Sequence, residues 1–167
     1  MNIRRAKIED AKSINDIYNR YIVNTSITFE TEPVSLVEME RRIAEKLHKY
    51  DWLVAEIDNE IIGYAYFGSF RTRAAYQHTV ESTIYLSEEF KGKGWGTPLY
   101  AALIESAKDK KFREMLAVVA LPNPESIHFH EKMGFSEIGV MKRIGYKFNN
   151  YLDVSFLQRS LLVKQKK

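Results

Sequence analysis

The chain has 167 residues, with 25 Lys and Arg against 22 Asp and Glu and no cysteine. One domain of that length buries about 70% of its unfolded surface, so a single domain over residues 1–167 is expected. Without cysteine there are no disulfides, thiolate metal ligands or cysteine nucleophile. With no apolar run long enough to span a membrane, the composition indicates a cytoplasmic protein. The net charge of +3 is no larger than the charge of the three tail lysines, Lys164, Lys166 and Lys167. The aromatic residues are dispersed along the chain. Neither nucleic acid nor a membrane is therefore expected as a partner.

The first third of the chain predicts one short strand and two helices. The strand is expected over residues 3–6, and apolar residues then recur at helical spacing over residues 8–22. A loop containing Phe29 and Glu30 follows. Ser35 and Glu38 have the S-x-x-E form of a capping box, which predicts a second helix from there to about residue 48.

Two β-rich runs, residues 52–57 and 61–70, are separated by a short polar turn and predict an antiparallel hairpin. The basic segment that follows contains Arg71, Arg73 and Tyr76. Its arginines are either solvated surface or an anion-binding pair, and the pattern favours neither reading.

The central stretch begins with residues 79–86, which are rich in β-branched and aromatic side chains and predict a strand. Glu81 lies within it. A carboxylate in a buried strand is costly unless it is paired or used in chemistry, so Glu81 is a candidate functional residue.

This strand is followed by three glycines, Gly92, Gly94 and Gly96. Lys91 precedes the first glycine, Lys93 lies between the first two, and a helical pattern begins after the third. A glycine turn that opens a helix presents backbone N–H groups and a favourable dipole to a phosphate. Neither the Walker spacing nor the G-x-G-x-x-G dinucleotide spacing is present. On the glycines alone, a phosphate site and a turn without function stay equally open.

The last third predicts a strand over residues 115–119 and a helix capped by Asn123, with Pro124 at its first position and Gly134 at its end. The helix carries His128 and His130, which face different sides and lack other ligands at metal-binding spacing, so no metal is expected. Residues 135–141 and 151–162 predict a closing pair of strands, with residues 145–150 between them.

This order of elements resembles the GCN5-related N-acetyltransferase (GNAT) superfamily. The segment from Lys91 to Gly96 resembles its Q/R-x-x-G-x-G/A pyrophosphate signature, with Lys91 where Gln or Arg is usual, and NPESIHFHEKMGF resembles its later motif. The resemblance implies a mixed α/β (α+β) GNAT fold, with a central mixed, mostly antiparallel sheet of about seven strands flanked by about four helices.

Within that superfamily, FRTRAAYQHTVESTIYL, HEKMGF and GYKFNNYLDV resemble the phosphinothricin or methionine sulfoximine acetyltransferase branch. This implies acetyl-CoA as co-substrate and direct transfer to the α-amine of a small amino-acid-like acceptor, with Glu81 and His130 as the acid/base pair. The residues that the resemblance assigns to acetyl-CoA are Ile84, Tyr85, Leu86, Lys91, Gly92, Lys93, Gly94, Trp95, Gly96, Thr97, Asn123 and Lys132. Those it assigns to the acceptor are Phe29, Glu30, Arg71, Arg73, Tyr76, Glu81, Ser82 and Thr83.

Two other functions remain open on the sequence. One is acetylation of a peptide or protein amine or another small amine, for which an open acidic groove would be expected. The other is a coenzyme-A-binding sensor without turnover, which the retention of Glu81 and His130 argues against. The resemblance also implies a homodimer.

Overall fold

The computed structural model describes residues 1–162. The tail lysines, Lys164, Lys166 and Lys167, and with them the end of the expected domain, lie outside the described residues. The strands are β1 (Asn2–Arg5), β2 (Trp52–Ile57), β3 (Glu60–Ser69), β4 (Thr79–Leu86), β5 (Glu114–Ala120), β6 (Ser136–Lys147) and β7 (Asn150–Ser160). The α-helices are α1 (Ala11–Asn24), α2 (Leu36–Lys49), α3 (Gly96–Asp109) and α4 (Pro124–Lys132).

All seven strands belong to one sheet in the order β1-β2-β3-β4-β5-β7-β6. Five of its six pairings are antiparallel, and β4 with β5 is the parallel one. A parallel pair needs a crossover connection, and α3 supplies it. The expected mixed, mostly antiparallel sheet with four helices is thereby confirmed.

The helices cover both faces of the sheet because successive strand residues point to opposite sides. On one face, α1 and α2 pack on Trp52, Val54 and Tyr64. On the other, α3 packs on a cluster that includes Ala55 and Ala65, with α4 against its edge. Consecutive residues of a central strand, such as Val54 and Ala55, therefore pack into two separate hydrophobic cores.

Predicted helix ends are found where the capping residues place them. The Ser35 hydroxyl accepts from the Glu38 amide at 3.2 Å, and α2 begins there. The Asn123 side chain accepts from the Ser126 amide at 3.2 Å and opens α4. Gly134 follows α4 with a φ of +82°, the left-handed conformation that favours glycine.

The closing hairpin differs from the sequence expectation. The break was expected over residues 145–150, yet β6 continues to Lys147 and the turn consists of Phe148 and Asn149 alone. Both turn residues have positive φ, as a two-residue type I′ turn requires. Gly145 lies inside β6, next to an irregularity in the strand register. The glycine therefore belongs to this irregularity and does not begin the turn, as the sequence had suggested.

Candidate active site

The site is organised by an opening between β4 and β5. These strands pair only over residues 79–82 of β4 and 114–117 of β5. Beyond that point they part, although β4 continues to Leu86 and β5 to Ala120. The backbone groups that face the gap have no strand partner across it, so an extended ligand can use them.

A cavity of about 90 Å³ lies where the strands separate. It contains both members of the predicted acid/base pair, Glu81 from β4 and His130 from α4. The other lining residues include Ser82, Thr83, Ile84 and Tyr85 of β4, Val118 to Ala120 of β5, and Asn123 and Ser126.

Glu81 is a half-buried carboxylate at this opening. Burial raises its pKa above the ordinary value of 4.5, and the charges of Lys46 and Arg71 act in the opposite direction. No side-chain hydrogen bond or ion pair within 4 Å fixes it among residues 1–162. A carboxylate with a raised pKa and no fixed partner has the properties of a general base.

His130 is 5% exposed and has edge contacts with Tyr100, Phe129 and Phe135. Its Nδ1 lies 2.8 Å from the carbonyl oxygen of Ser126. A carbonyl only accepts, so the proton is on Nδ1, and Nε2 is an acceptor in the neutral ring. Burial lowers the pKa of His130, against the effect of that hydrogen bond, so the neutral form predominates.

Ser82 and Thr83, both expected near the acceptor, point to opposite faces. The Ser82 hydroxyl is 2.6 Å from the Tyr100 hydroxyl and donates to the Leu116 carbonyl at 2.9 Å, with the residue 5% exposed. The Ser82 side chain therefore holds α3 to β4 and β5. Thr83 lies on the Glu81 face and pairs with Tyr66 of β3.

The glycine segment has the backbone needed for a phosphate. Gly92 and Gly94 have φ of +69° and +85°, and a Cβ added at either would meet no atom within 4 Å. The amides of residues 92–95 donate to no acceptor among the described residues. The Thr97 amide, in contrast, donates to the Gly94 carbonyl at 3.3 Å. Four free amides before α3 fit a pyrophosphate.

Side chains around this loop have distinct environments. The Lys91 ammonium lies 4.4 Å from the Tyr21 ring centroid, and that of Lys93 lies 5.6 Å from the Phe90 centroid. Trp95 packs against the α3-side core. Gly96 starts α3 and is buried, with Leu86 and Phe129 each 3.4 Å from the position of a Cβ.

Three further residues expected on the donor side, Leu86, Asn123 and Lys132, have different environments, and only Asn123 lines the cavity at the fork. The Leu86 carbonyl accepts from the Tyr21 hydroxyl at 2.6 Å, which anchors the end of β4 to α1. The side-chain oxygen of Asn123 forms the helix cap. The side-chain nitrogen, Nδ2, makes no hydrogen bond within residues 1–162. Lys132 is exposed at the end of α4.

On the acceptor side, Arg71 and Arg73 have different environments. Both are exposed, but only Arg71 has a charge that acts on the pKa of Glu81. The Arg71 guanidinium lies 5.0 Å from the Phe70 ring centroid, and Tyr76 meets the same ring edge-on at 5.7 Å. Arg73 precedes the short 3-10 turn Ala74–Tyr76 and has no ion pair in the described part of the chain. Of the two arginines, Arg71 is therefore the one that acts electrostatically on Glu81.

Phe29 and Glu30 belong to a network that joins the α1–α2 loop to other elements. Glu30 accepts from the Arg42 guanidinium at 2.6 Å and from the Tyr18 hydroxyl at 2.9 Å. The ring of Phe29 lies against the Cα of Gly145, where a side chain would collide with it. Glu30 is thus already neutralised by a fixed partner.

Two lysines near residues expected on the acceptor side were missed from the sequence. Lys147 of β6 is 4% exposed and donates to the Thr28 carbonyl at 2.8 Å. Lys46 of α2 lies over Gly68, which pairs with Glu81. Helical spacing from Met39 and Ile43 places Lys46 on the inner face of α2, so that periodicity was the available signal.

No helix in residues 1–162 is long and apolar enough to cross a membrane. Those residues also contain no group of three or more His, Asp or Glu that could hold a metal ion. The absence of a metal stays a prediction.

The seven-stranded sheet that is forked between β4 and β5 has the fold of an acetyltransferase. A family described as acetyltransferase (GNAT) domain matches residues 3–156. The chain belongs to this family, which confirms the resemblance seen in the sequence and the expectation of an N-acetyltransferase.

Three relatives place the chain within the family. A phosphinothricin N-acetyltransferase of Streptomyces viridochromogenes is 37% identical over 95% of this chain and 87% of its own. The structure of a phosphinothricin acetyltransferase from Sinorhizobium meliloti in complex with AcCoA has a TM-score of 0.92 and 38% identity, over 95% and 87% of the chains. A ribosomal-protein-alanine N-acetyltransferase from Brucella melitensis has a TM-score of 0.94 and 32% identity, over 96% and 99%.

Proposed function

We propose that this protein transfers the acetyl group of acetyl-CoA to the α-amine of a small amino-acid-like acceptor, such as phosphinothricin or methionine sulfoximine. The observation that carries the proposal is the position of Glu81. It lines the cavity at the β4–β5 fork together with His130, and the positive charges of Lys46 and Arg71 act on its carboxylate. An acceptor with both an ammonium and an anionic group complements this arrangement. Two relatives that share most of the chain carry the phosphinothricin name.

The donor side supports acetyl-CoA as co-substrate. We infer that the free amides of residues 92–95 hold the pyrophosphate, with Lys91 and Lys93 beside them. The unpaired edge of β4 from Ile84 to Leu86 and the amide nitrogen of Asn123 lie along the route of the pantetheine arm. A backbone N–H on that edge polarises the thioester carbonyl as negative charge develops.

The reaction requires an unprotonated amine. In the proposed mechanism Glu81 removes a proton from the α-ammonium, directly or through a water, and the free amine attacks the thioester carbonyl carbon. The carbon–nitrogen bond forms, the nitrogen releases its second proton to solvent, the carbon–sulfur bond breaks, and coenzyme A leaves as a thiolate. The raised pKa of Glu81 suits the task, since it brings the base closer to neutral pH.

For His130 we propose proton delivery to the thiolate. Because Nε2 of the neutral ring only accepts, the form of His130 that donates the proton is the imidazolium. Burial disfavours the imidazolium. The acid role of His130 therefore requires the ring to take up a proton before it donates one. It predicts activity that falls as pH rises through the lowered pKa of His130.

The acceptor proposal is tested by coupled thiol release with a panel of L-amino acids and their carboxamides. We expect amino acids with an anionic carboxylate to react and their uncharged amides to lose most of kcat/KM. Equal use of acid and amide, or a preference for a peptide N-terminus, would favour acetylation of a protein amine, the activity in the name of the Brucella relative. Tight binding of acetyl-CoA with no thiol release for any amine would favour a sensor.

We also propose a single domain that assembles as a homodimer through β6. This strand is one of the two edges of the sheet, and it exposes the apolar side chains of Ile138, Met141 and Ile144, each 47% to 56% exposed. A bare apolar edge strand is normally covered. Light scattering of the wild type and of Ile144→Glu tests this, with a monomeric wild type as the contrary outcome.

A cytoplasmic location stays a prediction, to be checked by cell fractionation.

A further inference from the structure

Tyr21 of α1 touches both ends of the segment that joins β4 to the glycine loop. The residue is 7% exposed, and the reaction steps given above do not use it. Its hydroxyl donates to the carbonyl of Leu86, the last residue of β4, at 2.6 Å. The Lys91 ammonium, from the residue before the first glycine, lies 4.4 Å from the centroid of the Tyr21 ring. One side chain of a separate helix therefore holds the end of β4 and the start of the glycine loop.

The orientation of Tyr21 is fixed by its surroundings. Its ring packs on that of Tyr85 with 4.7 Å between the centroids, and Ile14 and Ile22 of α1 are fully buried and anchor the helix. Burial raises the pKa of Tyr21 to about 12, so the hydroxyl stays protonated near neutral pH. Tyr21 is therefore a rigid support with a permanent donor.

The contact with the Tyr21 ring orients Lys91 without neutralising it. An aromatic face attracts an ammonium through the ring quadrupole and carries no net charge. Lys91 makes no ion pair with a carboxylate within residues 1–162, whereas Arg41 and Arg42 of α2 are both bound to Glu38. The charge of Lys91 therefore remains available for an anion, in an orientation that is set before the anion binds.

Lys91 is also held through its backbone, since its amide donates to the Glu88 carbonyl at 3.3 Å. The amides of residues 92–95, which have no acceptor among the described residues, follow directly. Lys93 differs from Lys91, because its ammonium lies over Phe90 of the same segment, at 5.6 Å from the ring centroid. A contact within the segment moves with the segment, whereas the contact of Lys91 ties it to α1.

We propose that Tyr21 is a positioning residue for the acyl donor, which acts on the pantetheine arm through Leu86 and on the pyrophosphate through Lys91. The hydroxyl fixes the end of the β4 edge that the arm follows, and the ring holds the lysine charge beside the free amides. This inference rests on the donor side of the proposed function and deepens it, since it gives α1 a part in donor recognition. The two contacts of Tyr21 should therefore affect two different parts of one ligand.

The test compares acetyl-CoA with S-acetyl-pantetheine, which has the same thioester and arm but lacks the phosphates and the nucleoside. For each donor, kcat/KM is measured with phosphinothricin as the acceptor. Tyr21→Phe keeps the ring and removes the hydroxyl, so it should lower kcat/KM for both donors by about threefold to tenfold, the scale of one neutral hydrogen bond. Tyr21→Leu also removes the ring. It should lower kcat/KM for acetyl-CoA about twofold to fivefold further and leave the value for S-acetyl-pantetheine as in Tyr21→Phe.

Lys91 supplies the second half of the test. Lys91→Met should lower kcat/KM for acetyl-CoA about tenfold, the scale of a hydrogen bond to a charged group, and leave the value for S-acetyl-pantetheine unchanged. In the Lys91→Met background, Tyr21→Leu and Tyr21→Phe should become equal, because no ammonium is left for the ring to hold. The matched control is Lys49→Met, which removes a cation that lies 5.5 Å from the ring centroid of Tyr50 at the end of α2. It should change kcat/KM for neither donor.

Calorimetry of acetyl-CoA binding needs no acceptor, so it separates this inference from the acceptor proposal. Tyr21→Leu should bind acetyl-CoA about twofold to fivefold more weakly than Tyr21→Phe. If no amine releases thiol while this difference is found, the proposed function fails and the positioning role of Tyr21 stands.

Three results would overturn the inference. The first is a Tyr21→Leu variant whose ratio of the two donors equals that of Tyr21→Phe, since a residue that only supports the fold does not distinguish the donors. The second is a Tyr21→Phe variant with wild-type values for both donors, and the third is a Lys91→Met variant with unchanged use of acetyl-CoA. If Tyr21→Leu does not fold, the second and third results still decide.

Discussion

The donor side and the acceptor side of the site are built by different means. The proposed donor side is a continuous run of backbone from Thr83 to Gly96, in which glycines with positive φ and unpaired amides are the groups available for contacts. The acceptor side is made of side chains from distant segments. Thr28 and Lys147, for example, are 119 positions apart and meet in one hydrogen bond. Backbone recognition suits a donor common to the whole family, and side-chain recognition allows the acceptor to change.

The largest expected effect is at the residue where the two sides meet. Glu81→Gln should lower kcat by about a hundredfold or more, the scale of losing a general base, and leave acetyl-CoA binding intact. It should also raise the free energy of unfolding, because the raised pKa shows that burying the charge is unfavourable in the folded state. A Glu81→Gln variant with normal turnover, or one that is less stable than the wild type, contradicts the assignment.

The pH dependence sharpens the same test. A base acts as the carboxylate, so wild-type kcat/KM should be lost as pH falls through the raised pKa of Glu81, above 4.5. In Glu81→Gln that acid limb should vanish, and activity should instead follow the fraction of free amine and increase with pH. An acid limb that is unchanged in the variant would assign it to another group.

The donor side is tested at Gly94. Gly94→Val should weaken acetyl-CoA binding by at least tenfold, or about 1.4 kcal/mol, because a side chain at φ +85° strains the loop that presents the free amides. The acceptor KM should change little. Calorimetry measures the affinity, and Gly139→Val is the control, since Gly139 is a strand residue with equally open space around it. Equal losses in both variants would remove the phosphate assignment.

These two sides also differ in how far the sequence predicts them. Strand β4, the glycine loop and the Asn123 cap follow from propensity, glycine conformation and capping over a few adjacent residues, and all three are found where expected. Lys46 and Lys147 were missed because their positions depend on which helix or strand packs over which. Arg73 is closer than Arg71 to Glu81 along the chain, but only the charge of Arg71 acts on the pKa of Glu81, a difference that depends on the fold and not on the local sequence.

The acceptor side is tested by separating those two arginines. Arg71→Ala should raise the KM of the amino-acid acceptor about tenfold, the lower end of the scale for a charge-assisted hydrogen bond, with acetyl-CoA KM unchanged. Arg73→Ala is the matched variant and should have a smaller effect. A larger effect from Arg73 would place the acceptor anion nearer to Tyr76.

The smallest expected effect concerns the contact that closes the acceptor side. Lys147 crosses from β6 to the α1–α2 loop and is buried. Lys147→Met keeps most of the side-chain volume but leaves the Thr28 carbonyl without its donor. We expect a loss of about 1–2 kcal/mol in the free energy of unfolding by urea and a rise of only a few-fold in acceptor KM. Lys142→Met is the control from the same strand, because its pair with Asp153 is exposed and should contribute below about 1 kcal/mol. If both variants unfold at the same urea concentration, the long-range contact does not hold the loop, and the acceptor side is less dependent on distant side chains than the structure indicates.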